Sequence, residues 1–272
     1  MIQSSKSTIW KGLKRKLKRK QLKDTEAKTI VQRAVGQTDF KGFQGVDVVI
    51  EAIVENMEIK QKVIKELETV CHEDFIFASN TSSLPLTEMS KAAKKPENVI
   101  GMHYFSPVPK MPLLEIIKTD QTSEETLATC YEIGKRQGKT CIVVNDMPGF
   151  YVNRILCPYL IEGLLMIEEG VRIEDIDGAL TSLGMPIGPI TLLDEVGIDV
   201  GAHVMSGNMA QLLKGREGFK INYSMPKMFE AGLHGRKAKK GFYNYAMKKG
   251  RLRKTSPNPV SYTHLRAHET RF

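Results

Sequence analysis

The pattern of hydrophobic and polar positions alternates between short apolar runs and longer stretches of helical periodicity. VDVVIEAIV at 46–54 is rich in β-branched residues, which is typical of a strand buried on both faces of a parallel sheet. The stretch after it, 55–71, places Ile59, Val63 and Leu67 on one helical face. Further predicted strands are FIFASN at 75–80, NVIGMHY at 98–104, LLEIIKT at 113–119 and TCIVVND at 140–146.

Repeated strand and helix units of this length predict an α/β fold with a doubly wound, Rossmann-type sheet that is mostly parallel. The pattern changes at Pro148 and Gly149, after which long amphipathic helices follow and no buried strand is evident. We therefore predict a Rossmann-type domain over residues 1–147 and an all-helical domain for substrate binding or dimerisation over residues 148–250. A tail is expected over residues 251–272.

The glycine-rich turn of a dinucleotide-binding sheet is missing from this chain. Such a sheet usually opens with a strand, a GxGxxG turn and a helix, and an acidic residue follows about twenty positions later. No GxGxxG occurs in the sequence. We therefore expect a truncated sheet that lacks its first strand, and a chain that is a fragment. Residues 260–270, VSYTHLRAHET, resemble a translated sequencing adapter and are expected to be an artefact.

The net charge of +9 is concentrated at the N-terminus, where residues 1–28 contain ten Lys or Arg against two acidic residues, a local balance of +8. A stretch such as KGLKRKLKRK can indicate binding to nucleic acid or to an anionic membrane. However, Trp10, Leu13 and Leu17 recur at helical spacing, which favours an amphipathic helix laid on a core with a solvated basic face. We expect no nucleic-acid partner, and nucleic-acid binding by this segment stays an alternative.

The remaining composition narrows the class of protein. No apolar run approaches the roughly eighteen residues that a membrane span needs, and 41% hydrophobic residues suffice for globular cores. The four cysteines form no CxxC pair and show no metal-ligand spacing, which favours reduced thiols. No metal site is expected.

Polar residues at the ends of the predicted strands are the candidates for chemistry, because ligands of open α/β sheets bind beyond the carboxyl ends of the strands. Each has a structural explanation when taken alone, such as a helix cap or a satisfied core histidine. Their arrangement at one edge of one sheet favours a functional site. The candidates are Glu55, Lys60, Ser82, His103, Glu115 and Asn153.

Removal of a hydroxyl proton while the same carbon loses hydride is the chemistry that fits this set. A neutral imidazole at His103 can accept the proton, and a buried carboxylate at Glu115 can fix its tautomer and stabilise the imidazolium. Ser82 and Asn153 could donate hydrogen bonds to the substrate oxygen. Lysines such as Lys60 and Lys237 could meet phosphates of a cofactor or substrate.

Five segments of the chain resemble the 3-hydroxyacyl-CoA dehydrogenase family, and in particular its branch that forms the dehydrogenase region of mitochondrial trifunctional enzyme alpha subunits. They occur in the order and spacing of the family, between about residue 5 and residue 250. The segments are SNTSSLPLTEM, VIGMHYFSPVPKMPLLEIIKT, NDMPGFYVNRIL, MPIGPITLLDEVGIDV and GRKAKKGFYNY. One departure is Lys239, which stands where the GRKxGxGFY pattern of the family has glycine.

The resemblance implies NAD-dependent oxidation of (3S)-3-hydroxyacyl-CoA to 3-ketoacyl-CoA in mitochondrial fatty-acid β-oxidation. It also implies a homodimer or a complex with a thiolase beta subunit. By position in the motifs, the family's catalytic residues fall on Ser82, His103, Glu115 and Asn153. Its NAD contacts fall on Glu55, Lys60, Ser82, Ser106 and Lys237, and the adenine half of the NAD site has no counterpart. The alternative is a catalytically dead fragment or an acyl-CoA-binding module of the same fold.

Overall fold

The structure is a computed structural model that describes residues 2–206 and 224–260. Most of the expected adapter-derived segment, residues 261–270, lies outside the described residues. The last amphipathic stretch that the sequence predicts spans residues 190–213, and its end, residues 207–213, also lies outside them. Within the described parts, the chain forms a sheet flanked by helices and then a mainly helical half.

A five-stranded sheet forms the centre of the first half. Its strands follow one another in chain order, and all neighbouring pairs are parallel except the third and fourth strands, which are antiparallel. This confirms the predicted α/β class with a mostly parallel sheet. The strands are β1 (Val48–Glu51), β2 (Ile76–Ser79), β3 (Val99–Tyr104), β4 (Leu113–Lys118) and β5 (Thr140–Asn145).

Helices cover both faces of this sheet. The helices at 57–67 and 86–90 pack on one face, with strand residues such as Phe77 and Ile117. The helix at 124–136 packs on the other face, with Ile100 and Ile116. Because strand side chains alternate between faces, His103 shares its face with the first pair of helices. The helices of this half are α1 (Ile2–Lys18), α2 (Asp24–Arg33), α3 (Met57–Leu67), α4 (Leu86–Ser90) and α5 (Glu124–Arg136), with α3 and α4 on the first face and α5 on the second.

Gly101 allows α4 to pack closely on β3, two residues before His103. A Cβ atom at this position would lie 2.7 Å from Leu86 Cδ1 and 2.8 Å from Ile117 Cδ1. Separations this short are repulsive, so a larger residue would push the helix away from the sheet. The glycine therefore sets how closely α4 approaches the sheet, on the face that includes His103.

The prediction that 46–54 forms a strand buried on both faces is wrong in part. Only Val48–Glu51 is strand, and Ile50, Ile53 and Val54 are 41%, 44% and 61% exposed. The reason is position, because β1 lies at one edge of the sheet while α5 packs on β3, β4 and β5. A β-branched run reports strand propensity but not which neighbours will cover it.

The second half is built from five helices among the described residues, and an antiparallel hairpin follows them. Residues 251–257 were expected to begin a tail and the domain to be all-helical, so the hairpin corrects both expectations. Its second strand is mostly exposed, charged and polar, and it therefore lacks the apolar alternation that predicts strands. The elements are α6 (Val152–Glu168), α7 (Ile173–Ser182), α8 (Pro189–Val196), α9 (Ile198–Ser206), α10 (Ser224–Glu230), β6 (Tyr243–Lys248) and β7 (Arg251–Pro257).

Two buried aspartates join this hairpin to the helices. Asp194 of α8 accepts hydrogen bonds from the backbone N–H groups of Phe242 and Tyr243, both at 2.9 Å, and from Tyr245 Oη at 3.0 Å. Asp177 of α7 accepts one from Tyr243 Oη at 2.8 Å. Burial raises the pKa of Asp194 to about 6 against the effect of these hydrogen bonds. The polar network makes the hairpin part of the helical core.

The N-terminal basic segment forms the amphipathic helix α1, which packs against α2. Ile9, Trp10, Leu13 and Leu17 are half-buried, whereas the lysines between them are exposed. The apolar stripe is thus the packed side of the helix, and the absence of a nucleic-acid partner stays a prediction. No helix within residues 2–206 and 224–260 is long and apolar enough to cross a membrane.

Candidate active site

A histidine–glutamate pair lies at the carboxyl end of β3. The antiparallel register places His103 directly opposite Glu115 on β4, and both side chains point to the same face. His103 Nδ1 lies 2.7 Å from Glu115 Oε2, and the two side chains are 8% and 0% exposed. Each group therefore satisfies a hydrogen-bonding atom that would otherwise be buried without a partner. The predicted pairing of these two residues is present in the fold.

The second oxygen of Glu115 binds the start of α6. Glu115 Oε1 accepts hydrogen bonds from the backbone N–H groups of Tyr151 at 3.0 Å and Val152 at 2.9 Å. A helix N-terminus carries partial positive charge, which favours an ionised carboxylate at this point. An ionised carboxylate only accepts hydrogen bonds, so the proton on the imidazole of His103 is held at Nδ1. The lone pair is then on Nε2.

A tight turn at residues 148–150 sets the position of α6. Gly149 and Phe150 both adopt left-handed backbone conformations, with φ of 74° and 51°. Such a conformation is uncommon for a residue other than glycine, and Phe150 is held in it by burial in the core beside the sheet. Its ring centroid lies 5.7 Å from that of His103, and the ring of Phe105 lies at 4.6 Å. The two rings pack against the imidazole.

The other two predicted catalytic residues meet beside this pair. Asn153, in the first turn of α6, donates a hydrogen bond from Nδ2 to the backbone oxygen of Ser82 at 3.3 Å. Ser82 is exposed, and within the described residues its hydroxyl has no hydrogen-bond partner. The same holds for His103 Nε2. Contacts through the start of α6 therefore link Ser82, His103, Glu115 and Asn153, and leave a base and a hydroxyl available to a ligand.

Glu55 orders the segment that contains Ser82. Its Oε1 accepts hydrogen bonds from Thr81 Oγ1 at 2.6 Å, from the Ser82 N–H at 3.0 Å and from the Ser83 N–H at 3.2 Å. Burial alone raises the pKa of Glu55, but these hydrogen bonds and the charge of Lys60 outweigh burial and lower the pKa below its usual value. The carboxylate is thus stabilised in its ionised form.

Replacing Glu55 with glutamine is expected to remove a pH-dependent part of the stability. Because folding lowers the pKa, the ionised Glu55 stabilises the fold above its unfolded pKa of about 4.3, and this contribution is lost as the pH falls through the lower folded value. Urea unfolding should therefore show a wild-type advantage over Glu55→Gln that shrinks below about pH 4. Glu58→Gln, an exposed change in the same region, is the matched control. An advantage independent of pH would contradict this assignment.

Lys60 does not present its ammonium group to the crevice. Its side chain is 1% exposed, and Nζ lies 2.7 Å from Glu51 Oε1 and 3.4 Å from Glu55 Oε2. This differs from the expectation that Lys60 meets a phosphate, because Nζ is already enclosed by two carboxylates. Sequence reasoning missed Glu51. Its position in alternation with Val49, on the face that also includes His103, was the available signal.

Ser106 and Lys237 are the two remaining predicted NAD contacts. Ser106 follows β3 and is exposed, with a cis peptide bond to Pro107. Lys237 pairs with Asp199 of α9 at 2.5 Å. Within the part of the chain that the structure describes, no hydrogen bond or ion pair joins either residue to the residues around His103. Their assignment as NAD contacts stays a prediction.

The backbone conformation at Lys239 accounts for the glycine that the sequence pattern predicts at this position. Its φ of 62° is left-handed, a conformation that glycine adopts without steric cost and that other residues adopt rarely. The turn closes when the Tyr245 N–H donates to the Lys239 carbonyl at 2.9 Å. Lys239 therefore occupies a backbone conformation that favours glycine.

An open cavity of about 420 Å³ lies at the carboxyl edge of the first strands. Asn80 fixes the ends of β2 and β3 there, because its Oδ1 accepts a hydrogen bond from the Tyr104 N–H at 2.8 Å. The lining is mainly apolar, which is typical of small-molecule sites. The lining residues are Ile50, Ala52, Asn80, Tyr104, Val108, Pro109, Gln137 and Lys139.

Comparison with protein families finds two matches that together cover most of the chain. Residues 1–147 match the 3-hydroxyacyl-CoA dehydrogenase NAD-binding domain, and residues 149–245 match the C-terminal domain of the same family.

Solved structures of similar sequence include three bacterial proteins. Mycobacterium tuberculosis FadB2 is 34% identical with a TM-score of 0.82, over 90% of this chain and 87% of that one. The (S)-3-hydroxybutyryl-CoA dehydrogenase PaaH1 of Ralstonia eutropha is 35% identical with a TM-score of 0.83, over the same shares of the two chains. The 3-hydroxybutyryl-CoA dehydrogenase of Escherichia coli is 30% identical with a TM-score of 0.83, over 89% of this chain and 52% of that one.

Proposed function

Since the chain belongs to the 3-hydroxyacyl-CoA dehydrogenase family, an NAD-dependent oxidoreductase family, we propose that it oxidises (3S)-3-hydroxyacyl-CoA to 3-ketoacyl-CoA. The observation that carries the proposal is the pairing of His103 with Glu115 against the start of α6. This arrangement holds a base with a free Nε2 at the sheet edge where ligands of α/β folds bind.

In the proposed mechanism the substrate hydroxyl gives its proton to His103 Nε2 as the carbon–oxygen double bond forms. Glu115 stabilises the resulting imidazolium through Nδ1. Ser82 Oγ and Asn153 Nδ2 donate hydrogen bonds to the substrate oxygen, which favours the polarised carbonyl. NAD, when bound at this edge, would supply the acceptor for the hydride that leaves the same carbon. The proton and the electron pair therefore have separate, defined acceptors.

The residues present fit the nicotinamide end of NAD. Glu55 and Ser82 lie together at the carboxyl end of β2. An ionised Glu55 beside this edge favours a ring that carries positive charge before hydride transfer. We propose Glu55 and Ser82 as the contacts to this end of the cofactor, with Ser106 and Lys237 as further candidates on the strength of the resemblance.

Spectrophotometry at 340 nm tests the proposal. Acetoacetyl-CoA should oxidise NADH with loss of absorbance, and (S)-3-hydroxybutyryl-CoA should reduce NAD with a gain, whereas the (R) isomer should not react. A chain that binds acyl-CoA without any absorbance change would be a binding module instead. A chain that binds neither acyl-CoA nor NADH would be a dead fragment, and both outcomes overturn the proposal.

We further propose a place in mitochondrial fatty-acid β-oxidation and an assembly through the helical half. The resemblance of five sequence segments to trifunctional enzyme alpha subunits is the support for the location and for a thiolase beta subunit as one candidate partner. Exposed apolar side chains on α6 and in the segments around α7 to α9 support a contact surface, either with that partner or with a second copy. They are Tyr151, Ile155, Leu183, Val196 and Val200.

A further inference from the structure

Glu51 is a buried carboxylate that the proposed mechanism does not use. Its side chain is 1% exposed at the end of β1, yet it accepts four hydrogen bonds from three donor groups. Oε1 accepts hydrogen bonds from the Ile53 N–H at 2.6 Å and from Lys60 Nζ at 2.7 Å. Oε2 accepts them from Lys60 Nζ at 2.9 Å and Ser79 Oγ at 2.7 Å. Such complete satisfaction makes the carboxylate a fixed point in the sheet.

Glu51 determines where the ammonium group of Lys60 sits. A buried ammonium needs a close counter-charge, and the two short contacts to Glu51 supply it. Nζ is thereby held 3.4 Å from Glu55 Oε2. At this distance Lys60 attracts Glu55 without drawing its carboxylate away from other donors.

Glu55 in turn binds the segment 81–83 through Oε1, as described above. A second route reaches the same segment, because Ser79 Oγ donates to Glu51 and accepts a hydrogen bond from the Thr81 N–H at 3.2 Å. The position of Ser82 therefore depends on Glu51 by two chains of contacts, although the two residues do not touch.

We propose that Glu51 is a positioning residue for this site. It fixes Lys60 and Ser79 beneath residues 81–83 and thereby holds Ser82 in place. The consequence for catalysis rests on the proposed function of Ser82, whereas the ordering of the segment does not.

Amide hydrogen exchange in the protein without cofactor tests the ordering. Glutamine at position 51 would keep one oxygen and place an NH₂ group beside the ammonium of Lys60, which would then move toward Glu55. In Glu51→Gln we expect the Ser82 and Ser83 amides to exchange about tenfold faster, while amides within α5 keep their rates. The matched control is Glu132→Gln, which breaks an exposed pair with Arg136 on the other face of the sheet.

Two further measurements test the same role of Glu51. Ser79→Ala removes a single donor from Glu51, and it should speed amide exchange at Ser82 by less than the tenfold expected for Glu51→Gln. This variant also tests the proposal if Glu51→Gln does not fold. In the 340 nm assay, Glu51→Gln should lower kcat/KM about tenfold relative to Glu132→Gln.

Unchanged exchange at Ser82 and Ser83, or equally faster exchange throughout α5, would overturn the positioning role. The second pattern would mean that Glu51 only stabilises the fold. If the wild-type chain lacked dehydrogenase activity, the proposed function would fail, but the exchange result would still decide the role of Glu51.

Discussion

A His103→Gln variant is expected to lose a factor of about 10² to 10⁴ in kcat while it still binds NADH. Glutamine can donate a hydrogen bond to Glu115, so the buried carboxylate keeps a partner. It cannot accept a proton at neutral pH, and the substrate hydroxyl would have to lose its proton to water. Turnover at 340 nm and NADH fluorescence together measure the two quantities.

His72→Gln is the matched control for this variant. His72 lies just before the amino end of β2, whereas the candidate site lies at the carboxyl ends of the strands, and it is partly exposed. It should retain wild-type kcat. A His103→Gln variant within tenfold of the wild-type kcat would remove the general base from the mechanism, whatever the sequence resemblance.

Replacing Glu115 with glutamine is expected to reduce kcat by about 10⁴ through the wrong tautomer of His103. The start of α6 decides how the new amide lies, because the N–H groups of Tyr151 and Val152 require an acceptor. The amide oxygen must face α6, so the NH₂ group faces Nδ1 of His103. Nδ1 then becomes the acceptor, the proton moves to Nε2, and the base has no free lone pair for the substrate.

Nitrogen-15 chemical shifts of the imidazole measure this change of tautomer directly, and the 340 nm assay measures its effect. Glu132→Gln, an exposed change on α5, should alter neither. Glu115→Gln should stay folded, since its oxygen still accepts from α6, and its loss of stability should stay within about 3 kcal/mol. Full activity, or a proton that remains on Nδ1, would show that Glu115 does not fix the tautomer.

Most of the first half could be predicted from the sequence. Each of its five strands has an apolar run that stands out from helical periodicity, and in each case the observed strand lies within the predicted one. The prediction that β1 is buried on both faces was wrong. Ile50 is exposed because α5 packs on β3, β4 and β5, whereas β1 lies at the edge of the sheet. Propensity is local, while burial depends on the neighbours that the topology brings.

The hairpin of β6 and β7 was beyond sequence reasoning for a different reason. Its stability comes from Tyr243 and Tyr245, which bind Asp177 and Asp194 across 51 to 66 residues of chain. No periodicity within residues 243–257 reports contacts at that distance. A charged strand such as β7 is recognisable only once its partner is known.

The sequence by itself determined the residue types of the site and their order along the strands, since alternation and the ends of apolar runs are local properties. Only the tertiary structure decided which of those residues meet. The antiparallel register brought His103 to Glu115, and the turn at Gly149 brought α6 onto the free oxygen of that carboxylate. Lys60 was a candidate phosphate ligand, but its side chain is buried and its ammonium group pairs with Glu51, because a buried charge needs an opposite charge nearby.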